Sequence, residues 1–117
     1  MTKDEILALV LDKYQTQPEY LWKKYPSFAV LRHNHNRKWY GLLMDVEKDK
    51  LGLAGSGKED LLNLKLPDDL ISILQADSRF LPAYHMNKAH WISLRINEFD
   101  SQEIANYLQT SYELTQK

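Results

Sequence analysis

The chain has 117 residues, 44% of them hydrophobic, which is enough to fill one core, and its formal charge of −1 argues against a strongly basic nucleic-acid binder. It contains no cysteine, which removes disulfide frameworks, thiolate nucleophiles and thiolate metal sites together. Charged residues punctuate Met1–Gln15, so this stretch reads as neither a signal peptide nor a membrane span, and the expectation is one soluble, cytoplasmic domain over residues 1–117.

The elements follow in chain order. Thr2 and Glu5 have the spacing of a capping box, and Ile6, Leu7, Val10, Leu11 and Tyr14 recur at helical spacing behind them, predicting a first helix of about thirteen residues. Phe28–His33 and Lys38–Val46 are rich in aromatic and β-branched residues and flank the turn-forming Asn34-His35-Asn36, which predicts a hairpin. A third strand is expected over Leu51–Leu53 and a fourth over Leu61–Leu66, where Leu62 and Leu64 alternate with Asn63 and Lys65.

Between these strands runs Gly52-Leu53-Ala54-Gly55-Ser56-Gly57-Lys58-Glu59, which approximates the phosphate loop of nucleotide hydrolases. Glu59 stands where that loop needs a magnesium-binding hydroxyl, and the preceding Asp45–Lys50 is too charged for a buried parallel strand. A flexible connection holding three of the four glycines is the expected structure.

Pro67-Asp68-Asp69 opens a second helix with acidic residues in its first turn and Leu70, Ile73 and Leu74 on one face, ending near Ala76. Asp77–Lys88 has no periodicity and reads as a loop. His90–Ile96 alternates as a last strand, with Trp91 as a core anchor at its start. Asp100 and Glu103 cap a final helix carrying Ile104, Tyr107, Leu108, Ser111 and Tyr112. The order is helix, four strands, helix, strand, helix. It predicts an α+β fold, a two-layer sandwich of one antiparallel sheet with helices packed on one face.

The densest polar and aromatic run is Leu81-Pro82-Ala83-Tyr84-His85-Met86-Asn87-Lys88-Ala89-His90-Trp91. It resembles the signature of the MmcQ/YjbR-like bacterial proteins. Lys38-Trp39-Tyr40, Met44-Asp45-Val46, Lys50-Leu51-Gly52-Leu53, Asn63-Leu64-Lys65 and Ser111-Tyr112-Glu113-Leu114 extend the likeness over most of the chain. The resemblance implies a fold similar to the frataxin/CyaY-like one, which agrees with the order above, and a role in DNA binding through paired wing-like hairpins. Iron does not carry over from the frataxin likeness, because the first helix holds only Asp4, Glu5 and Asp12 beside Lys3 and Lys13 where frataxins are strongly acidic.

Three functions stay open. In the first, Arg32, Arg37, Lys38, Lys50 and Lys58, with Lys23 and Lys24, neutralise phosphates of double-stranded DNA while the hairpin tip enters a groove. Its support is the resemblance plus a basic first half, residues 1–58 holding ten Lys and Arg against seven Asp and Glu, where residues 59–117 hold five against nine. In the second, Tyr84, His85, Asn87, Lys88, His90 and Trp91 form a surface for a protein or small ligand, or else anchor their loop through backbone bonds. Enzymatic activity ranks last, because no nucleophile, cofactor loop or metal set is recognisable. His33, His35, His85 and His90 have no carboxylate at matching spacing, and the contiguous His33-Asn34-His35 reads as a polar turn. No catalytic residue, cofactor or metal is therefore assigned.

Overall fold

The computed structural model describes all residues 1–117. Helix α1 spans Lys3–Tyr14 and starts on the expected capping box, in which the Thr2 amide donates to Glu5 Oε1 at 2.8 Å and the Glu5 amide to Thr2 Oγ1 at 3.2 Å. It ends at Gln15, whose φ of 55° turns the chain left-handed. Ile6, Val10 and Tyr14, four residues apart, form its buried face.

Five strands build one antiparallel sheet: β1 (Ala29–Arg32), β2 (Trp39–Glu47), β3 (Lys58–Lys65), β4 (Phe80–Pro82) and β5 (Trp91–Arg95), in the spatial order β1-β2-β3-β5-β4. Helix α2 (Asp68–Leu74) follows β3, and α3 (Ser101–Thr115) closes the chain behind the expected capping box of Asp100 and Glu103. The architecture is α+β, as the sequence predicts.

The two faces of the sheet are covered differently. One carries Leu31, Leu43, Leu62, Leu64, Ile92 and Leu94 against Ile6 and Val10 of α1 and Ile104 and Leu108 of α3, so both terminal helices share an apolar layer. The other carries Val30, Leu42, Met44, Val46 and Leu61. No helix covers it; Trp22, Leu81, Tyr84 and Met86 from loop and edge segments pack there instead.

A β-bulge sorts the aromatic residues of β2 between these faces. Leu31 pairs with Gly41 and Arg32 with Trp39, leaving Tyr40 as the extra residue. Tyr40 thereby enters the helix-side core, where its hydroxyl meets Thr16 Oγ1 at 2.5 Å, while Trp39 joins Leu42 and Met44 on the far face. Gly41 permits the close crossing, since a Cβ there would lie 3.0 Å from Leu31 Cδ1.

The structure corrects four expectations. Leu51–Leu53 is not a strand: Lys48–Leu51 forms a 3-10 turn, and positive φ at Gly52, Gly55 and Gly57 prevents extension until β3 begins at Lys58. The glycine stretch thus opens a strand and not the helix that a phosphate loop requires. Phe80–Pro82 is a strand that periodicity missed, because three residues at a sheet edge are too short to show alternation. In α2 the buried residue is Ile71, and Ile73 is 70% exposed, because a two-turn helix shows only one narrow side to the core. Trp91 is half-buried, since β5 turns Ile92 and Leu94 to the helices and Trp91 to the far face.

Candidate functional site

On the far face, Trp39, Leu42 and Met44 of β2 form the floor of a groove of about 340 Å³. Trp22, Tyr25 and Phe28 from the segment before β1 form one wall, and His85, Met86 and Asn87 from the loop after β4 form the other. Rings meet edge to face at the floor: Trp22 stands 6.0 Å from Trp39 at 86° and 6.1 Å from Phe28 at 73°, and Tyr25 stacks on Phe28 at 4.8 Å. The Arg32 guanidinium lies 5.8 Å from the centroid of the Trp39 ring.

Each wall is tied to the sheet. Glu19 and Val30 exchange both backbone hydrogen bonds, at 3.0 and 2.8 Å, and the Glu19 carboxylate pairs with Arg32 at 3.3 Å and with Arg37. The Arg32–Glu19 contact is an ion pair without hydrogen-bond geometry, which leaves the buried Arg32 Nε undonated. On the opposite side a buried ring of bonds fixes the loop: Tyr84 N–H donates to Ser93 Oγ, Ser93 Oγ–H to Asn63 Oδ1, and Asn63 Nδ2–H to the Tyr84 carbonyl, at 3.2, 2.5 and 3.0 Å. Asn87 completes it, its side chain accepting from the Ala89 amide at 2.9 Å and its carbonyl from the His90 and Trp91 amides.

Between these anchors His85 adopts a left-handed φ of 59°, its ring 4.1 Å from that of Tyr84. Its ring nitrogens make no hydrogen bond within the protein, and it is exposed at the groove mouth.

A smaller, charged cleft of about 200 Å³ continues the groove and shares Tyr25, Phe28 and His85 with it. Its cause is topological: β1 pairs with β2 only as far as Leu43, so Met44–Glu47 have no strand on that side. Lys24, Lys50, Lys58, Asp45 and Glu47 line the cleft. Lys58 Nζ donates to Asp45 Oδ2 at 3.2 Å, and Ser27 Oγ–H donates to the same carboxylate. Burial pushes the Asp45 pKa up, but Ser27, Lys58 and Lys3 outweigh it and hold the carboxyl below its ordinary range. Burial raises the pKa of neighbouring Asp60 instead, with Lys3 opposing and Asp45 and Glu59 adding to the rise.

The residues singled out from sequence are divided by the fold. His85 and Asn87 line the groove and Tyr84 the charged cleft; Lys88 is exposed outside both, and His90 contacts Asp68 of α2 at 2.8 Å. Arg32, Arg37 and Lys38 sit at the β1–β2 turn, and Lys50 and Lys58 at the β2–β3 connection, at opposite ends of a nine-residue strand. Lys38 Nζ donates to the Lys117 carbonyl. No group of three or more His, Cys, Asp or Glu side chains is placed to hold a metal, and no helix is long and apolar enough to cross a membrane. Sequence reasoning missed Trp22, Tyr25, Phe28, Trp39, Leu42, Met44 and Met86. The available signal was the aromatic density of Tyr20–Phe28, a stretch without periodicity and therefore without a function as a regular element.

Comparison with known proteins places this geometry among relatives. The YjbR family profile matches residues 11–114. The chain is 47% identical over 116 residues to "Uncharacterized protein YyaQ" of Bacillus subtilis strain 168, covering 98% of each. A crystal structure of a Pseudomonas syringae protein superposes with a TM-score of 0.95 at 38% identity, covering 99% of this chain and 100% of that one. A solution structure from the same organism gives 0.88 at 38% identity, covering 99% and 94%. A Deinococcus radiodurans protein with a DUF419 domain shares the fold at a TM-score of 0.71 and 20% identity, covering 97% and 78%.

Proposed function

The chain belongs to the YjbR family, and from that premise we propose that it is a binding module and not an enzyme, seating a small apolar molecule in the groove on the far face of its sheet. One observation carries this reading: seven of the nine groove residues are hydrophobic, and they come together from β2 and two separate loop segments. Apolar pockets of about 300–1,000 Å³ with a few placed polar groups are the usual form of small-ligand sites. Here His85 and Asn87 are those groups. His85 is also the one histidine in the groove, which has no carboxylate in its lining to hold it as a general base, and this supports binding over catalysis.

Double-stranded DNA is the second reading, supported by the exposure of Arg37, Lys38, Lys50 and Lys58. It ranks lower because Arg32 and Arg37 share the carboxylate of Glu19, and because the two basic ends of β2 lie roughly 27 Å apart at the usual strand rise.

The test is titration with N-phenyl-1-naphthylamine, a neutral aromatic probe, followed by probe emission and tryptophan quenching. Saturable binding at one site is expected, weakened about tenfold or more in Trp22→Ala through loss of ring contact. A signal that rises linearly without saturation overturns the reading.

A further inference from the structure

We infer that the molecule held in the groove is an anion, an apolar ring body carrying a carboxylate, sulfonate or phosphate that extends into the adjoining cleft. The inference rests on the binding-module reading and adds the ligand's charge to it.

The groove alone has no charged wall, so it sets no preference for an ion. Its continuation does. Three lysines, Lys24, Lys50 and Lys58, face two carboxylates there, Asp45 and Glu47. Asp45 is already taken up by Lys58 at 3.2 Å and by the Ser27 hydroxyl, with Lys3 at 3.9 Å behind it. Lys24 and Lys50 form no salt bridge and are exposed, with the Lys24 ammonium 6.0 Å from the Tyr25 ring centroid. Two ammonium groups thus stand at the polar end of an apolar slot without an ion pair, against the single unpaired carboxylate of exposed Glu47, which leaves the cleft one net positive charge. His85, shared by both compartments and unbonded within the protein, lies at their junction as a further hydrogen-bond partner.

A ligand with its rings on Trp22 and Trp39 and an anionic end at Lys24 and Lys50 satisfies both halves at once. A cationic ligand would place its charge among these lysines, and a neutral one would leave them without a partner. Because both lysines are exposed, each contact contributes only a few-fold in affinity and is weakened by salt.

The experiment compares two probes of nearly the same ring body, 1-anilinonaphthalene-8-sulfonate, which is anionic, and N-phenyl-1-naphthylamine, which is neutral, against the full chain and against Lys24→Gln/Lys50→Gln. The expected result is a preference for the sulfonate of about five- to tenfold at low salt. It should shrink at high salt and fall to near parity in the double variant, with affinity for the neutral probe unchanged. Equal affinity for the two probes in the unaltered chain leaves the groove standing and overturns the anion. A sulfonate preference that survives in the double variant also overturns it, because the attracting charge then lies elsewhere. If neither probe saturates, the binding-module reading itself falls. Circular dichroism of the double variant confirms the fold, and both substitutions are at exposed positions.

Discussion

His33 is fully buried among Tyr40, Tyr112 and His35, with Nε2 2.7 Å from Thr115 Oγ1 and Nδ1 without a partner. Burial first, then the charges of His35 and Lys38, press its pKa below the ordinary value of 6.5, against a smaller opposing effect from the Tyr112 backbone. The unfolded chain therefore takes up a proton near pH 6.5 that the folded chain refuses until lower pH. This contribution to stability is complete above pH 6.5 and is lost as pH falls through that value toward the lowered one. Urea midpoints of the unaltered chain should drop between neutral and mildly acidic pH, and those of His33→Gln should drop less over the same interval. Equal drops would place the titration elsewhere. Burial also separates two neighbours on β5. Trp91→Ala, at a half-buried position, should cost about 1–2 kcal/mol, and Leu94→Ala, at a fully buried one, about 2–5 kcal/mol. A Trp91 cost in urea melts at or above that of Leu94 would show that its ring is a core element after all.

At the scale of elements, the β1–β2 turn acts as a cap for α3. The last carbonyls of a helix have no partner within it. Here Asn36 Nδ2 donates to the Thr115 carbonyl at 3.1 Å, His35 Nε2 lies 2.9 Å from the Gln116 carbonyl, and Lys38 reaches the Lys117 carbonyl. Asn36 Oδ1 also accepts from the Lys38 amide at 2.9 Å, closing the turn itself. Asn36→Ala is accordingly expected to destabilise by about 1–2 kcal/mol in thermal or urea melts. The same contacts bear on DNA. Three lost phosphate contacts would flatten the dependence of log affinity on log salt by roughly two to three. With these side chains engaged by Glu19 and the end of α3, the combined Arg32→Ala, Arg37→Ala and Lys38→Ala variant should change that slope by less than about one. Anisotropy of a labelled duplex at several salt concentrations decides it, and a change of two or more restores the wing reading.

Over the whole molecule, one face of the sheet is closed by helices and the other by two loop segments, and stability should follow that division. β3 is held in ladders on both sides, as are β2 up to Leu43 and β5 over Ile92–Leu94, whereas residues 20–28 and 83–90 rest on few backbone bonds. Hydrogen exchange should be slowest in those three strands and fast in the two segments, and saturation with the anionic probe should slow the segments while leaving the strands unchanged. Protection gained instead along α1 and α3 would put the bound probe on the helix face.

Much of this was legible in the residues alone. The capping boxes at Thr2 and Asp100, the four-residue spacing of Ile6, Val10 and Tyr14, and the alternation of Leu62 and Leu64 are signals between residues at most a few positions apart. Such signals determine elements, and the elements determined the α+β class. The bulge at Tyr40 is not of this kind, because it is a property of the pairing between β1 and β2 and leaves no mark on β2 itself. Nor is the exposure of Ile73, which depends on which side of a short helix meets the core. The groove is the furthest from sequence: its residues run from Trp22 to Met44 and then from His85 to Asn87, and only the order β1-β2-β3-β5-β4 brings the two sets to one face. Arg32 and Arg37 read as free cations for the same reason, since Glu19, thirteen and eighteen positions earlier, reaches them only once its backbone has paired with Val30. A contact between distant segments depends on where the intervening chain folds, and that is decided by the packed whole and not by any local run of residues.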